Sequence, residues 1–113
     1  MTLDYETRVP LDLSALTYKE DITLLRVVGT TEGDRWQMRA YPLIGDNPDK
    51  ATVGEITTGP GAAFRPALAA AVGWVAEACD DAGVRLVGCT HEPPGPDRPG
   101  TVRLMLDRRP AGH

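Results

Sequence analysis

Two short stretches of the chain carry residue types at spacings that would allow chemistry. The first is TTGPGAAFRPALAAA, residues 57–71, in which two glycines lie between an apparent strand and an apparent helix. Glycines at such a junction let backbone N–H groups approach an anion, and the helix dipole favours negative charge there. A bound anion would be held by the Arg65 side chain and by the N–H groups of Ala67 and Leu68.

The same stretch also argues against a phosphate site. Pro60 and Pro66 each lack an N–H group, and because proline favours the first helical position, we expect the helix to begin at Pro66. The spacing matches neither G-x-x-x-x-G-K-[ST] nor G-x-G-x-x-G, since Phe64 stands where the third glycine of the latter would be. We therefore expect the glycines to turn the chain, with anion binding as the alternative.

In the order strand, loop, helix and strand, residues 51–87 resemble the segment that grips the pyrophosphate of coenzyme A in acetyltransferases of the GNAT superfamily. The resemblance implies acyl-CoA as the anionic ligand of the loop. The chain departs from the family's pattern at Arg65, which follows the glycines, whereas the family's arginine- and glycine-containing loop runs directly into the helix. The chain also has no room for the helices that the family carries before its central strands, so membership is not predicted.

The second stretch is Cys89, His91 and Glu92, the only cluster of reactive side-chain types. Residues i and i+2 of a strand share a face but lie about 6–7 Å apart, beyond the reach that a nucleophile and its base require. We expect a packed thiol and a half-exposed histidine, with catalysis by these three residues as the alternative. Neither a metal site nor a cofactor is expected, because the other histidine is His113 and no Cys or His pair has zinc-site spacing.

Periodicity predicts the elements that position these residues. Alternation and β-branched residues predict strands over residues 3–9, 22–29, 35–43, 51–59, 84–92 and 101–109, with Gly54 expected to mark a bulge. A helix is predicted from an apolar stripe formed by Leu68, Val72, Val75 and Cys79, and Gly83 supplies its stop. The predicted fold is α+β, a mainly antiparallel sheet of five to six strands packed on or curled around one long helix in a single domain over residues 1–113.

The widths of these elements predict an interface. One helix about 10 Å wide cannot cover six strands spaced about 4.8 Å apart, so either the sheet curls or a second copy or partner covers the rest. We expect the interface on the back of the helix, at Trp74, Ala70 and Gly73, with Trp74 as its anchor. The third strand also presents a polar row that would meet an acidic or planar ligand. The members of this row are Arg35, Gln37, Arg39 and Tyr41.

Composition and charge bear on the class of partner and the compartment. The 113 residues are 42% hydrophobic and carry a net charge of −4 without an obvious basic patch, so neither nucleic acid nor a membrane is expected as a partner. The predicted geometry keeps Cys79 and Cys89 too far apart to pair, which gives two free, buried thiols and suits the cytoplasm. Ten arginines against two lysines suggest a GC-rich bacterial genome.

These observations favour a small, non-enzymatic protein-binding or regulatory accessory module, expected to be homodimeric. The alternative is a small enzyme or small-molecule binder with a pocket between sheet and helix, where Arg65, Cys89, His91 and Glu92 would converge. A phage or toxin-immunity component is a further alternative that fits the size and acidity. Whether the proline-rich loop 92–100 has a function stays open.

Overall fold

The computed structural model describes residues 5–43, 52–61, 63–96 and 99–109. Within these ranges six strands form one antiparallel sheet and a single α-helix packs on it in the order ββββαββ, which confirms the predicted α+β fold. The strands are β1 (Tyr5–Val9), β2 (Ile22–Glu32), β3 (Arg35–Pro42), β4 (Gly54–Thr58), β5 (Arg85–Glu92) and β6 (Gly100–Asp107). The helix α1 spans Phe64–Ala82, and a short 3-10 turn spans Leu13–Ala15.

The strand order across the sheet is β1-β4-β3-β2-β6-β5. Gly33, at a φ of 63°, closes the β2–β3 hairpin as its sequence predicts. Because β4 lies near one edge and β5 forms the other, α1 carries the chain from one side of the sheet to the other. The helix must therefore cross one face of the sheet, and it packs there against β3, β4, β5 and β6.

Alternation along the central strands separates a covered face from an uncovered one. In β2, Leu25 and Val27 are completely buried on the side of the sheet that carries α1, whereas Leu24 and Val28 point to the opposite side and are only half-buried. Apolar residues on both sides of this segment predict a central strand, which β2 is, but only one of its two faces is fully buried. We term the side opposite α1 the open face, because no helix of the described residues lies on it.

The helix is rotated from the orientation that its periodicity predicts. Of the predicted stripe, Val75 and Cys79 are buried as expected, but Leu68 and Val72 are only partly buried. Ala67, Ala71 and Trp74 are buried against the sheet as well. Relative to the predicted stripe, the helix is rotated by roughly 90° about its own axis, since an α-helix has 3.6 residues per turn. This rotation brings the largest apolar side chain of the helix into the core, between alanines that let the helix lie close to the strands.

Gly54 provides the space for that indole, and it does not mark the predicted bulge. Its register with Ala40 of β3 is regular, and a Cβ atom at position 54 would lie 2.8 Å from Cη2 and Cζ2 of Trp74. Bulges lie instead in the two edge strands, between Thr7 and Val9 and between Leu86 and Gly88. The absent side chain of Gly54 is therefore a packing requirement of the helix.

We expect Gly54→Ala to lower the free energy of unfolding by about 1–3 kcal/mol, the usual effect of overpacking a core. Gly73→Ala is the matched control, because its added methyl group meets only open space and alanine is the better residue within a helix by about 0.5–1 kcal/mol. Urea unfolding of both variants measures the difference. A Gly54→Ala protein as stable as the wild type would contradict the packing of Trp74 on Gly54.

Candidate functional site

The N-terminus of α1 does not offer the predicted anion donors. The helix begins at Phe64, two residues before the expected start, so the N–H group of Ala67 donates to the Ala63 carbonyl at 3.2 Å. Leu68 lies one position further inside the helix, beyond the first turn in which N–H groups lack helical partners. The prediction that Ala67 and Leu68 donate to an anion is therefore wrong. Of the three predicted residues, only Arg65 is exposed.

The glycine-containing loop before the helix turns the chain, as its sequence favours. Gly61 has a φ of 77°, in the left-handed region that glycine adopts without strain. Its N–H group donates to the carbonyl of Asp34 at 2.9 Å, which ties the loop to the β2–β3 hairpin. This N–H group therefore serves the fold.

Cys89, His91 and Glu92 lie on the edge strand β5 and do not converge. Cys89 is free but exposed, which corrects the expected burial of this thiol, whereas Cys79 is free and buried as predicted. Along β5 the side chains of Cys89 and His91 alternate in direction with that of Glu92. A small cleft of about 110 Å³ includes His91 and Glu92 but neither Cys89 nor Arg65. In the described part of the chain, Cys89 and Arg65 therefore lie outside the cleft that His91 and Glu92 line.

The predicted interface residues occupy two different environments. Trp74 is 6% exposed and Ala70 is 5% exposed, and both side chains are buried on the covered side of the sheet. Gly73 faces solvent with open space around its Cα. The prediction of Trp74 as an exposed interface anchor on the back of the helix is therefore wrong, because Trp74 packs the helix against its own sheet.

The side chains that do come together lie on the open face. Directly paired residues of neighbouring antiparallel strands share a face and stand side by side. The register pairs Tyr41 of β3 with Arg26 of β2, and Arg26 with Arg103 of β6. The guanidinium of Arg26 lies 5.7 Å from the centre of the Tyr41 ring, within cation–π distance. We term Tyr41, Arg26 and Arg103 the arginine row.

A second row of mixed charge runs beside the arginine row. Arg39 of β3 stands between Glu55 of β4 and Val28 of β2, and its Nε donates to Oε1 of Glu55 at 2.7 Å. This hydrogen bond raises the pKa of Arg39. The row continues through Thr101 of β6 to Glu92 on β5, so that a carboxylate stands at each end of the stretch from β4 to β5. Val9 of the edge strand β1 lies beside Glu55.

On its other side the arginine row borders an apolar depression. The register pairs Leu24 of β2 with Met105 of β6, and Met105 with Gly88 of β5. Because Gly88 has no side chain, a cavity of about 180 Å³ opens here, and Met105 is 41% exposed beside it. Arginine and apolar side chains are therefore neighbours at the centre of the open face.

A charged cleft occupies the hairpin end of the open face. Its volume is about 410 Å³, and its lining includes Arg35, Glu32 and Glu55. The Gln37 Nε2 donates to Oε2 of Glu32 within it. All four residues of the predicted polar row thus lie on the open face, with Arg35 and Gln37 at this cleft and Arg39 and Tyr41 nearer the centre.

No family model, curated protein or solved structure matches this chain. Across the described ranges, no group of three or more His, Cys, Asp or Glu side chains is placed to hold a metal ion. Among the same residues, no helix has the length and apolar character needed to cross a membrane.

A buried carboxylate fixes the β5–β6 corner of the sheet. Asp107, 2% exposed, accepts hydrogen bonds from Nη2 of Arg109 at 2.6 Å and from Nη2 of Arg85 at 3.0 Å. The bonds from Arg109 hold the pKa of this carboxyl well below its usual range. Asp107 therefore joins the end of β6 to the edge strand and to the chain that follows.

Asp107→Asn should destabilise the protein at pH 7, and the effect should shrink in acid. Because the pKa is lowered in the folded state, the ionised group stabilises the fold fully above the unfolded pKa of about 3.9 and progressively less below it. The urea midpoints of wild type and variant should therefore differ at pH 7 and approach each other below about pH 4. Asp81→Asn, at the exposed end of α1, is the control, and its urea midpoint should stay close to that of the wild type at pH 7. A difference between the midpoints of wild type and Asp107→Asn that does not change with pH would contradict the stabilising role of the ionised Asp107.

Proposed function

We propose that this protein is a non-enzymatic binding module whose protein partner docks on the open face of the sheet. The observation that carries the proposal is the group of Arg26, Arg103, Tyr41 and Met105 side by side at the centre of that face. Arginine, tyrosine and methionine are enriched in protein interfaces relative to the remaining protein surface. Tyrosine and arginine are also enriched among the residues that contribute most binding energy.

The size of the open face suits a protein partner. Six strands of 5 to 11 residues, spaced about 4.8 Å apart at about 3.3 Å per residue, give a planar area of about 700 Å². Each partner in a standard protein–protein interface buries about 800 Å². A partner that covers most of this face would therefore reach the area of a specific complex.

The strands that carry the open face are held by the core, which favours binding because it limits the conformational entropy lost on association. The arginine row stands on β3, β2 and β6, whose opposite sides are packed in the core under α1. Arg39 is held by Glu55, and Arg26 lies against the Tyr41 ring. Side chains that are already positioned lose less conformational freedom when a partner binds.

Binding is favoured over catalysis because Glu92 points away from Cys89 and His91 on β5, whereas the open face brings interface residue types together. The small-enzyme and small-molecule alternatives stay predictions, as do the cytoplasmic location and the bacterial origin. A homodimer also stays a prediction, and in the present proposal a second copy is one of the partners that the open face would admit. The experiment below separates a second copy from a different protein.

Site-specific photo-crosslinking in cells of the native host tests the proposal. The photoreactive residue p-benzoylphenylalanine replaces Thr30 or Thr90, two exposed positions on the open face, and in the control it replaces Gly73 on the solvent side of α1. We expect the same partner to be cross-linked from both open-face positions and not from position 73. A product containing two copies of this chain would identify a homodimer.

Two results would contradict the proposal. Cross-links formed from position 73 and absent from positions 30 and 90 would place the interface on the helix. Absence of cross-links from all three positions, in protein that folds as the wild type does, would mean that the open face has no stable protein partner in the cell.

A further inference from the structure

The arginine row places two like charges side by side at the centre of an acidic protein. Arg26 and Arg103 are a direct cross-strand pair, an arrangement that is unfavourable for like charges. The chain as a whole carries a net charge of −4. Within the part of the chain that the structure describes, the exposed guanidinium of Arg103 forms no ion pair. Arg103 therefore presents a guanidinium whose charge no carboxylate of the described residues offsets, beside the exposed Met105.

We propose that the open face binds an extended, acidic segment of the partner protein, with a carboxylate over the arginine row. The proposal rests on the proposed function and names the chemistry of the partner. Guanidinium groups donate two parallel hydrogen bonds to one carboxylate, which gives both attraction and orientation. The Tyr41 ring holds the neighbouring guanidinium of Arg26 at the row.

The adjacent apolar depression specifies a second position of the segment. Leu24 and Met105 each lie two residues along their strands from Arg26 and Arg103, on the same face and about 6–7 Å away. Side chains i and i+2 of an extended segment share the same spacing and the same side. A segment lying along the strands would therefore set Asp or Glu over the arginine row and an apolar side chain over Leu24 and Met105.

The surrounding charges favour a short acidic segment over a long polyanion. Glu55 and Glu92 stand on β4 and β5 in the neighbouring row, and Glu32 lines the cleft at the hairpin end. Nucleic acid carries phosphates along its whole length and needs a continuous cationic track. Its phosphates would meet these carboxylates within one or two nucleotides, whereas an isolated carboxylate reaches only the arginines.

The same charges disfavour two copies packed face to face about the row. A two-fold axis through Arg26 and Arg103 would set these guanidinium groups against the same groups of the second copy. Repulsion between them would oppose the complex unless an anion lay between the copies. The segment is therefore assigned to a different protein, and a second copy becomes an outcome of the test.

The probe is a fluorescein-labelled peptide with the repeating sequence Thr-Glu-Thr-Val, which places Glu and Val on one side when extended. The control peptide has Gln in place of Glu. Fluorescence anisotropy measures binding to wild type, to Arg103→Gln and to Arg65→Gln, an exposed helix arginine whose replacement changes the net charge equally. We expect Arg103→Gln to weaken binding about fivefold and Arg65→Gln less than about twofold, with Arg103→Lys between them because it keeps the charge but not the fork.

Further results follow from the same arrangement. Binding should weaken between about 50 and 300 mM salt because exposed ion pairs are screened, and amide NMR shifts should map to β2, β3 and β6. Thermal unfolding of each variant establishes that it is folded. Equal binding of the Gln peptide, equal weakening by Arg65→Gln, shifts confined to α1, or no binding at all would each overturn the proposal.

Two more outcomes would indicate that the open face binds something other than an acidic segment. Tighter binding of an oligothymidylate than of the peptide, with the same loss in Arg103→Gln, would point to a polyanion. Self-association that light scattering detects in wild type and not in Arg103→Gln would point to a second copy. If the photoreactive residue at position 90 cross-links a partner equally well with and without Arg103→Gln, the proposed acidic segment is contradicted while the open-face function is retained. Absence of cross-links from both open-face positions would contradict both proposals.

Discussion

The packing of the Trp74 indole over Gly54 fixes how the only α-helix of the described residues sits on the sheet. The connection from β4 to β5 already requires α1 to cross one face, and the indole decides the rotation with which it does so. The alanines on either side of Trp74 let the helix lie close to the strands. With this helix committed to one side, the opposite side of the sheet is free to carry polar and charged residues.

The sheet thereby performs two tasks with one set of strands. Leu25 and Val27 of β2 build the core, while Arg26 between them points to the open face. The same alternation in β3 and β6 supplies Tyr41 and Arg103. Because each of these side chains has buried neighbours in its own strand, the position of the arginine row is set by the packing of the core. A binding surface built in this way is ordered before the partner arrives.

The sequence was informative about local structure and much less so about which elements meet. Alternation, turn residues and Gly83 predict the order of elements, because these signals act over a few residues. The helix rotation is predicted only in part: Val75 and Cys79 of the stripe are buried, but Leu68 and Val72 are not. The regular stripe outweighs a single Trp74, whose space is provided by Gly54, 20 positions earlier. The arginine row was missed because Arg26 and Arg103 come together only through the pairing of β2 with β6, and no local pattern specifies strand order. Only Tyr41 of that row was singled out from sequence.

One face of this sheet is covered by the chain's own helix, and the other face is exposed to solvent. NMR of methyl-labelled protein with a soluble paramagnetic agent tests this arrangement, because the agent broadens only the signals of methyl groups that it can approach. Met105, Leu24 and Val28 should be broadened strongly, whereas Leu25, Val27 and Leu104 should keep their intensity. Equal protection of both sets in the isolated protein would contradict the account, since it would mean that the open face is already covered.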